Sequence, residues 1–190
     1  MSQSLTQLAH ELARNFIRAG DIVVDATAGN GHDTAFLANI VGEKGRVYAF
    51  DIQQNAIEAT RQRLDKAGLL KNVSLVLDGH ENMAHHIPTE LNGTIAAVFF
   101  NLGYLPHGDH SIITRETTTL AALEQSAAIL RHGGHLSILV YPGHPGGMKE
   151  AGVVRDWIQS QNDTGSFSFT HHGDPSQAIR PWLVIGSKKP

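Results

Sequence analysis

Residues 25–34 read DATAGNGHDT. The run that leads into them, 21–27, is short and rich in β-branched residues, which predicts a strand. Gly29 and Gly31 then turn the chain, because glycine reaches positive φ without strain and lets backbone N–H groups come close to a ligand. Residues 33–41 carry helical periodicity. Strand, glycine turn and helix in this order open a parallel α/β unit, whose ligands bind at the carboxyl edge of the sheet.

The same alternation continues outward. Leu5, Leu8, Leu12 and Phe16 sit at helical spacing and predict an amphipathic helix over 3–18. Strands over 45–52, 73–77, 95–100 and 135–141 alternate with helices over 54–67, 114–131 and 147–160. His132, Gly133 and Gly134 read as the stop of the long helix. The tail departs from this pattern. Strands over 166–171 and 182–187 have only a loop between them, which predicts an antiparallel hairpin at the sheet edge. A seven-stranded, mostly parallel α/β sheet with an antiparallel C-terminal hairpin and helices on both faces is the Rossmann-like arrangement of Class I methyltransferases. A dinucleotide-binding domain more often ends in another parallel crossover. No repeat, linker or low-complexity tract interrupts residues 1–190, so a single domain is expected.

Apolar residues make up 41% of the 190 and charged residues 17%, a balance that folds around a core. The absence of cysteine excludes disulfides, thiolate catalysis and Cys-type zinc sites. The twelve histidines are scattered, and no metal is expected. The opening MSQSLTQLAHELARNF lacks a basic region followed by an apolar run, and no stretch of ~18 apolar residues exists. A cytoplasmic protein without membrane association is therefore the expectation. A formal net charge of -3 argues against nucleic-acid binding through overall charge and leaves it to a local basic patch.

The acids around the first loop narrow the ligand. Asp51 ends the second strand, where a carboxylate can accept both ribose hydroxyls of an adenosine. Ile52 and Gln53 extend that contact. Asp78, Gly79 and His80 follow the third strand, beside the expected adenine. A GxG loop with a distant acid is shared with NAD enzymes, but their fingerprint places a third small residue where Thr34 stands. Asp25 lies just before the loop and can orient it or face a cation. S-adenosylmethionine is a sulfonium without a pyrophosphate, so nearby carboxylates attract it where they would repel NAD. It is the expected cofactor, with Asp25, Ala28, Gly29, Asn30, Gly31, Asp33 and Thr34 as loop contacts. The blander alternative has Asp25 and Asp33 only capping the turn and the helix start.

A second stretch, NLGYLPHGDH at 101–110, leaves the fourth strand on the same edge. Amine-methylating enzymes of this class place Asn/Asp-Pro-Pro-Tyr/Phe here. A side-chain oxygen and a backbone carbonyl hold the target N–H groups, and the ring stacks on the target. Asn101 matches the acceptor, the Leu102 carbonyl the second acceptor, and Tyr104 the platform, with Gly103 between; both prolines are absent. Asn101 also borders the cofactor. Asp109, His107 and His110 are candidate proton acceptors, against the alternative of a plain Pro/Gly-rich loop. YPGHPGG at 141–147 offers Tyr141 and His144 to the substrate pocket, and Arg180 before the last strand offers a phosphate contact.

DATAGNGHDT, AFDIQ, NLGYLPHGDH and LVYPGHPGG together resemble a family of small bacterial Class I methyltransferases labelled rRNA methylases, over residues 4–188. The resemblance implies methyl transfer to the amine of 5-aminomethyl-(2-thio)uridine at the tRNA wobble position, giving the 5-methylaminomethyl form. It implies an anticodon loop as partner, met by a local set such as Arg115, Lys149, Arg155 and Arg180, with a second subunit as one way to complete the RNA surface. A flipped uridine stacked on Tyr104 fits that expectation. The alternatives are a small-molecule amine or hydroxyl methyltransferase, a NAD(P)-binding oxidoreductase, and a non-catalytic S-adenosylmethionine-binding module.

Overall fold

The structure, a computed structural model, describes residues 3–103, 114–177 and 179–190. Alternating apolar residues dictate its layers. In β1 (Ile22–Asp25), Val23 faces one side of the sheet and Val24 the other. In β4 (Ile95–Leu102), Ala97 and Phe99 face the first side while Val98 and Phe100 face the second. β1 and β4 are neighbours at the centre, and both faces are covered, which is why these strands carry almost no polar residue.

The strands run β3 (Val73–Leu77), β2 (Arg46–Asp51), β1, β4, β5 (Leu130–Val140), β7 (Trp182–Lys188), β6 (Phe167–His172). Only the pairings of β7 are antiparallel. The expected seven-stranded architecture is present. The expected closing hairpin lies at the sheet edge, with β7 inserted between β5 and β6 so that β6 is outermost. Helices α2 (His32–Val41) and α3 (Gln54–Lys66) contribute Leu37, Val41 and Leu64 to the core on one face. The short α4 (Met83–His86), α5 (Glu116–Ile129) and α6 (Gly147–Asp163) contribute Met83, Leu123, Val154 and Trp157 to the other. Burial of Phe99 and Phe100 stabilises the sheet by about 1.5–3 kcal/mol each.

α1 spans Leu5–Ala13 and is shorter than the 3–18 periodicity predicts. Ser4 and Gln7 form a reciprocal capping box that fixes its start. Its stripe of Leu5, Leu8 and Leu12 packs against Leu139 of β5 and Leu183 of β7. Phe16 lies beyond the helix and stacks on the His135 ring at 4.0 Å. α5 ends at Ile129, because Leu130 already pairs with Ile95; His132, Gly133 and Gly134 thus fall within β5, not in a connector. Among the described residues, no helix is long and apolar enough to cross a membrane.

The site-bearing helix α2 is tied down at its far end by Asn72. The Asn72 amide, in the short 3₁₀ turn before β3, donates to the carbonyls of Ala38 at 3.0 Å and Gly42 at 2.9 Å. The last carbonyls of a helix lack intrahelical donors; Asn72 supplies one to Gly42 and adds a second to Ala38, whose oxygen also accepts the Gly42 N–H. Asn72→Ala is therefore expected to lower unfolding free energy by about 1–3 kcal/mol, measurable by urea denaturation.

Candidate active site

Every parallel strand delivers its carboxyl end to one edge, and a cleft of about 860 Å³ opens there. It runs from Asp78 after β3, past the loop after β1, to Tyr141 after β5. This volume lies within the range that holds a cofactor-sized ligand.

The loop after β1 is built by close approach. Gly29 and Gly31 have φ of +52° and +76°. A Cβ on Gly31 would lie 2.8 Å from the Thr60 Cα, so only glycine lets α3 pack this close. α3 then grips the outer carbonyls: Thr60 Oγ1 donates to Gly29 O at 3.0 Å, and Arg63 Nε donates to Asn30 O at 2.7 Å. The Gly29 N–H turns inward and donates to Asp51 Oδ2 at 2.9 Å.

Asp25 lies beneath this loop and not against the cleft, which corrects the expectation that it faces a cationic ligand. It is fully buried, accepting from Thr34 Oγ1 at 2.6 Å and from the Thr27 N–H at 3.2 Å. Burial, and secondarily the nearby Asp33 charge, push its pKa up to about 7. Thr34 and Gly31 are also outside the lining: Thr34 bonds Asp25 beneath the loop, and Gly31 packs against Thr60 of α3.

The expected cofactor contacts Ala28, Gly29, Asn30, Asp33, Asp51, Ile52, Gln53, Asp78, Gly79, His80 and Asn101 do line the cleft. Asp51 accepts a second N–H from Gln53 at 2.9 Å; burial raises its pKa against the pull of those two amides. Asp78 accepts from His86 Nε2 at 2.7 Å and Asn82 Nδ2 at 2.8 Å, bonds that hold its pKa below the usual carboxylate range. His80 is buried, and burial keeps its ring neutral by lowering its pKa. Its Nδ1 bonds Ala26 O at 3.2 Å, so Nδ1 carries the proton and Nε2 is an acceptor. That Nε2 is buried without a partner among the described residues.

At the other end, Asn101 donates its backbone N–H to Thr27 Oγ1 at 2.7 Å and its side-chain Nδ2 to Asp33 Oδ2 at 2.6 Å. Asp33 Oδ1 meets His10 Nε2 of α1 at 2.7 Å. Gly103, Tyr141 and His144 line the cleft as expected. The Leu102 carbonyl, expected to bind substrate, accepts the Tyr141 N–H at 3.0 Å as part of the sheet, and its side chain is core. Arg180 is exposed and outside the lining, although Ile179 and Pro181 on either side belong to it. Tyr104, His107, Asp109 and His110 lie outside the described residues.

Several lining residues had no sequence signal. Thr6 sits on the polar side of α1, which the leucine spacing reads only as a solvent face. Thr114 and Thr118 flank Arg115, itself read as an RNA contact, and all three line the cleft. Buried Glu150 of α6 accepts from Thr114 Oγ1 at 2.8 Å and Thr119 Oγ1 at 2.5 Å, with burial raising its pKa.

The pKa of Asp25 sets a pH dependence. Below its ordinary value of 3.8 the group is protonated in both folded and unfolded chains. Between 3.8 and about 7 only the folded chain keeps the proton, so stability falls as pH rises through this window. An amide at this position can accept from the Thr27 N–H and donate to the Thr34 hydroxyl. Asp25→Asn is expected to shrink the loss of stability between about pH 5 and about pH 8, read by urea denaturation at both.

Comparison with known proteins places this cleft in a family. The family model described as "Putative rRNA methylase" matches residues 47–185. A relative from Arabidopsis thaliana, the chloroplastic tRNA (mnm(5)s(2)U34)-methyltransferase, is 44% identical over 170 residues, covering 80% of this chain and 61% of the relative. The chain thus spans less than two thirds of that protein's length. A crystal structure from Clostridium thermocellum described as a "putative rRNA-methylase" superposes with a TM-score of 0.90 at 41% identity, over 99% of both chains. A Streptococcus mutans protein described as "a putative methyltransferase", crystallised in complex with SAH, superposes with a TM-score of 0.84 at 35% identity, also over 99% of both chains. Since the family model covers well over half of its residues, the chain belongs to this rRNA methylase family of Class I methyltransferases.

Proposed function

We propose that the chain is an S-adenosylmethionine-dependent N-methyltransferase that converts the 5-aminomethyl group of a tRNA wobble uridine to 5-methylaminomethyl. One observation carries the reading. A single cleft joins a set of adenosine-type acceptors to an asparagine whose amide nitrogen is committed to Asp33. The name of the Arabidopsis relative and the SAH of the Streptococcus relative support it.

The residues present suit the cofactor. Asp51 still has lone pairs for ribose hydroxyls after accepting its two amides. The orphaned Nε2 of His80, with Asp78 beside it, provides acceptors for an adenine amino group. Carboxylates along the cleft favour a sulfonium over a pyrophosphate. When bound, S-adenosylmethionine supplies an electrophilic methyl group.

The chain's own task is to present a neutral amine. An alkyl amine has a pKa near ~10 and is mostly protonated in neutral water, without a free lone pair. Lowering that pKa by about three units takes roughly 4 kcal/mol of differential environment. Desolvation between Tyr141, His144 and the β4 end pushes in this direction. With Nδ2 held by Asp33, Asn101 offers Oδ1 to one amine N–H and aligns the lone pair. Tyr104 as the stacking platform, and Asp109 or His110 as the proton acceptor, complete the proposal from the segment outside the described residues. Arg115 in the lining, with Arg180 on the rim, supplies positive charge for RNA phosphates.

Asp51→Ala is expected to weaken S-adenosylhomocysteine binding at least about tenfold by calorimetry, since two charge-assisted hydrogen bonds are lost; unchanged affinity rejects the ribose role. For the substrate, tRNA from cells lacking this protein should accept methyl groups from the purified chain. Its digested wobble nucleosides should shift in mass spectra from the aminomethyl to the methylaminomethyl form. Transfer that survives ribonuclease treatment of the substrate points instead to a small-molecule acceptor.

A further inference from the structure

The proposed chemistry uses Asn101 but leaves open what sets its amide the right way round. A side-chain amide has nearly the same shape in two orientations, and only one presents oxygen to an amine N–H. Asp33 selects between them. A carboxylate only accepts hydrogen bonds, so its Oδ2, 2.6 Å from Asn101, must face the amide nitrogen. The flipped amide would bring two acceptor oxygens together with no hydrogen between them.

Asp33 in turn depends on α1. Its Oδ1 receives His10 Nε2 at 2.7 Å, and its side chain is only 9% exposed, so water offers little replacement. The His10 ring is itself locked. It stacks on Phe36 at 3.7 Å and 3°, and Phe36 lies three residues after Asp33 on the same face of α2. α1 is held in place by its leucine stripe on β5 and β7, and Thr6, one turn before His10, reaches the cleft. Without His10, Oδ1 loses its donor and the carboxyl can rotate away from Asn101.

We infer that His10 is a positioning residue for methyl transfer: acting through Asp33, it fixes the Asn101 amide with its oxygen available to the acceptor amine. This rests on the proposed role of Asn101. The chain His10–Asp33–Asn101 crosses from the N-terminal helix through the first turn of α2 to the end of β4, so three separate elements agree on one amide orientation.

The test compares the unaltered chain, His10→Ala, His10→Gln, Asn101→Ala and the His10→Ala/Asn101→Ala double variant, using tRNA from cells lacking the protein. His10→Ala should lower kcat about tenfold, with S-adenosylhomocysteine affinity changed by less than about twofold. His10→Gln, whose amide can donate in place of the ring, should recover most of the loss. In the Asn101→Ala background, His10→Ala should cost nothing more. The ¹⁵N side-chain amide signals of Asn101, which need no substrate, should shift in His10→Ala and return in His10→Gln. An undiminished kcat, an equal loss in the Asn101→Ala background, cofactor affinity falling as far as kcat, or unmoved Asn101 signals overturns the positioning role. Absence of transfer to tRNA by the unaltered chain overturns the underlying reading, and the inference with it.

Discussion

A hydrogen bond from the Thr34 hydroxyl to the buried Asp25 carboxyl joins the last residue of β1 to the first turn of α2. Between them the backbone must reverse within a few residues and still leave an N–H facing the cleft. The bond sets the distance between strand and helix, and two positive-φ glycines absorb the turn. α3 closes on the outside through Thr60 and Arg63, and Asp51 closes on the inside through the Gly29 amide. The same loop feeds Asp33 toward Asn101 and places Ala26 under His80. The two ends of the cleft thus share one origin.

That origin concentrates acidity. Asp25, Asp33 and Asp51 approach one another closely enough to interact, yet each is treated differently by its surroundings. Asp25, wholly desolvated, moves toward neutrality and repels its neighbours less. Asp51 and Asp33 are satisfied by donors, amides for one and an imidazole and a carboxamide for the other. A pocket for a cation is obtained with a modest local excess of charge.

The fold was legible because its determinants are local and periodic. Val23 and Val24, or Phe99 and Phe100, declare a strand buried on both faces from adjacent letters alone. The placing of Asp51 and Asp78 on the cleft was legible for a related reason: both stand at strand ends, and a strand end in a parallel sheet has a predictable location. Asp25 misled because sequence shows that an acid precedes the loop but not on which face of the strand it falls. The ladder bond of the Leu102 carbonyl gave no sequence signal, since it is a matter of register with Tyr141 across 39 positions. His10 gave no signal at all. Its partner Asp33 lies 23 residues away, and their meeting depends on how α1 packs beside α2 in three dimensions.

The position of β7 carries a consequence for synthesis. Strand β5 emerges from the ribosome well before the strand that will cover its flank, since β6 comes first yet ends up farther out. Until residues 182–188 arrive, β5 presents an unpaired row of backbone donors and acceptors beside the apolar side chains of Ile138, Leu139 and Val140. Such an edge invites pairing with another nascent chain. The leucine stripe of α1 packs on both β5 and β7, so the earliest-made helix completes its apolar contacts only when one of the last-made strands joins the sheet. A chain released before β7 would leave the flank of β5 open and adhesive, with the leucines of α1 short of one of their partners.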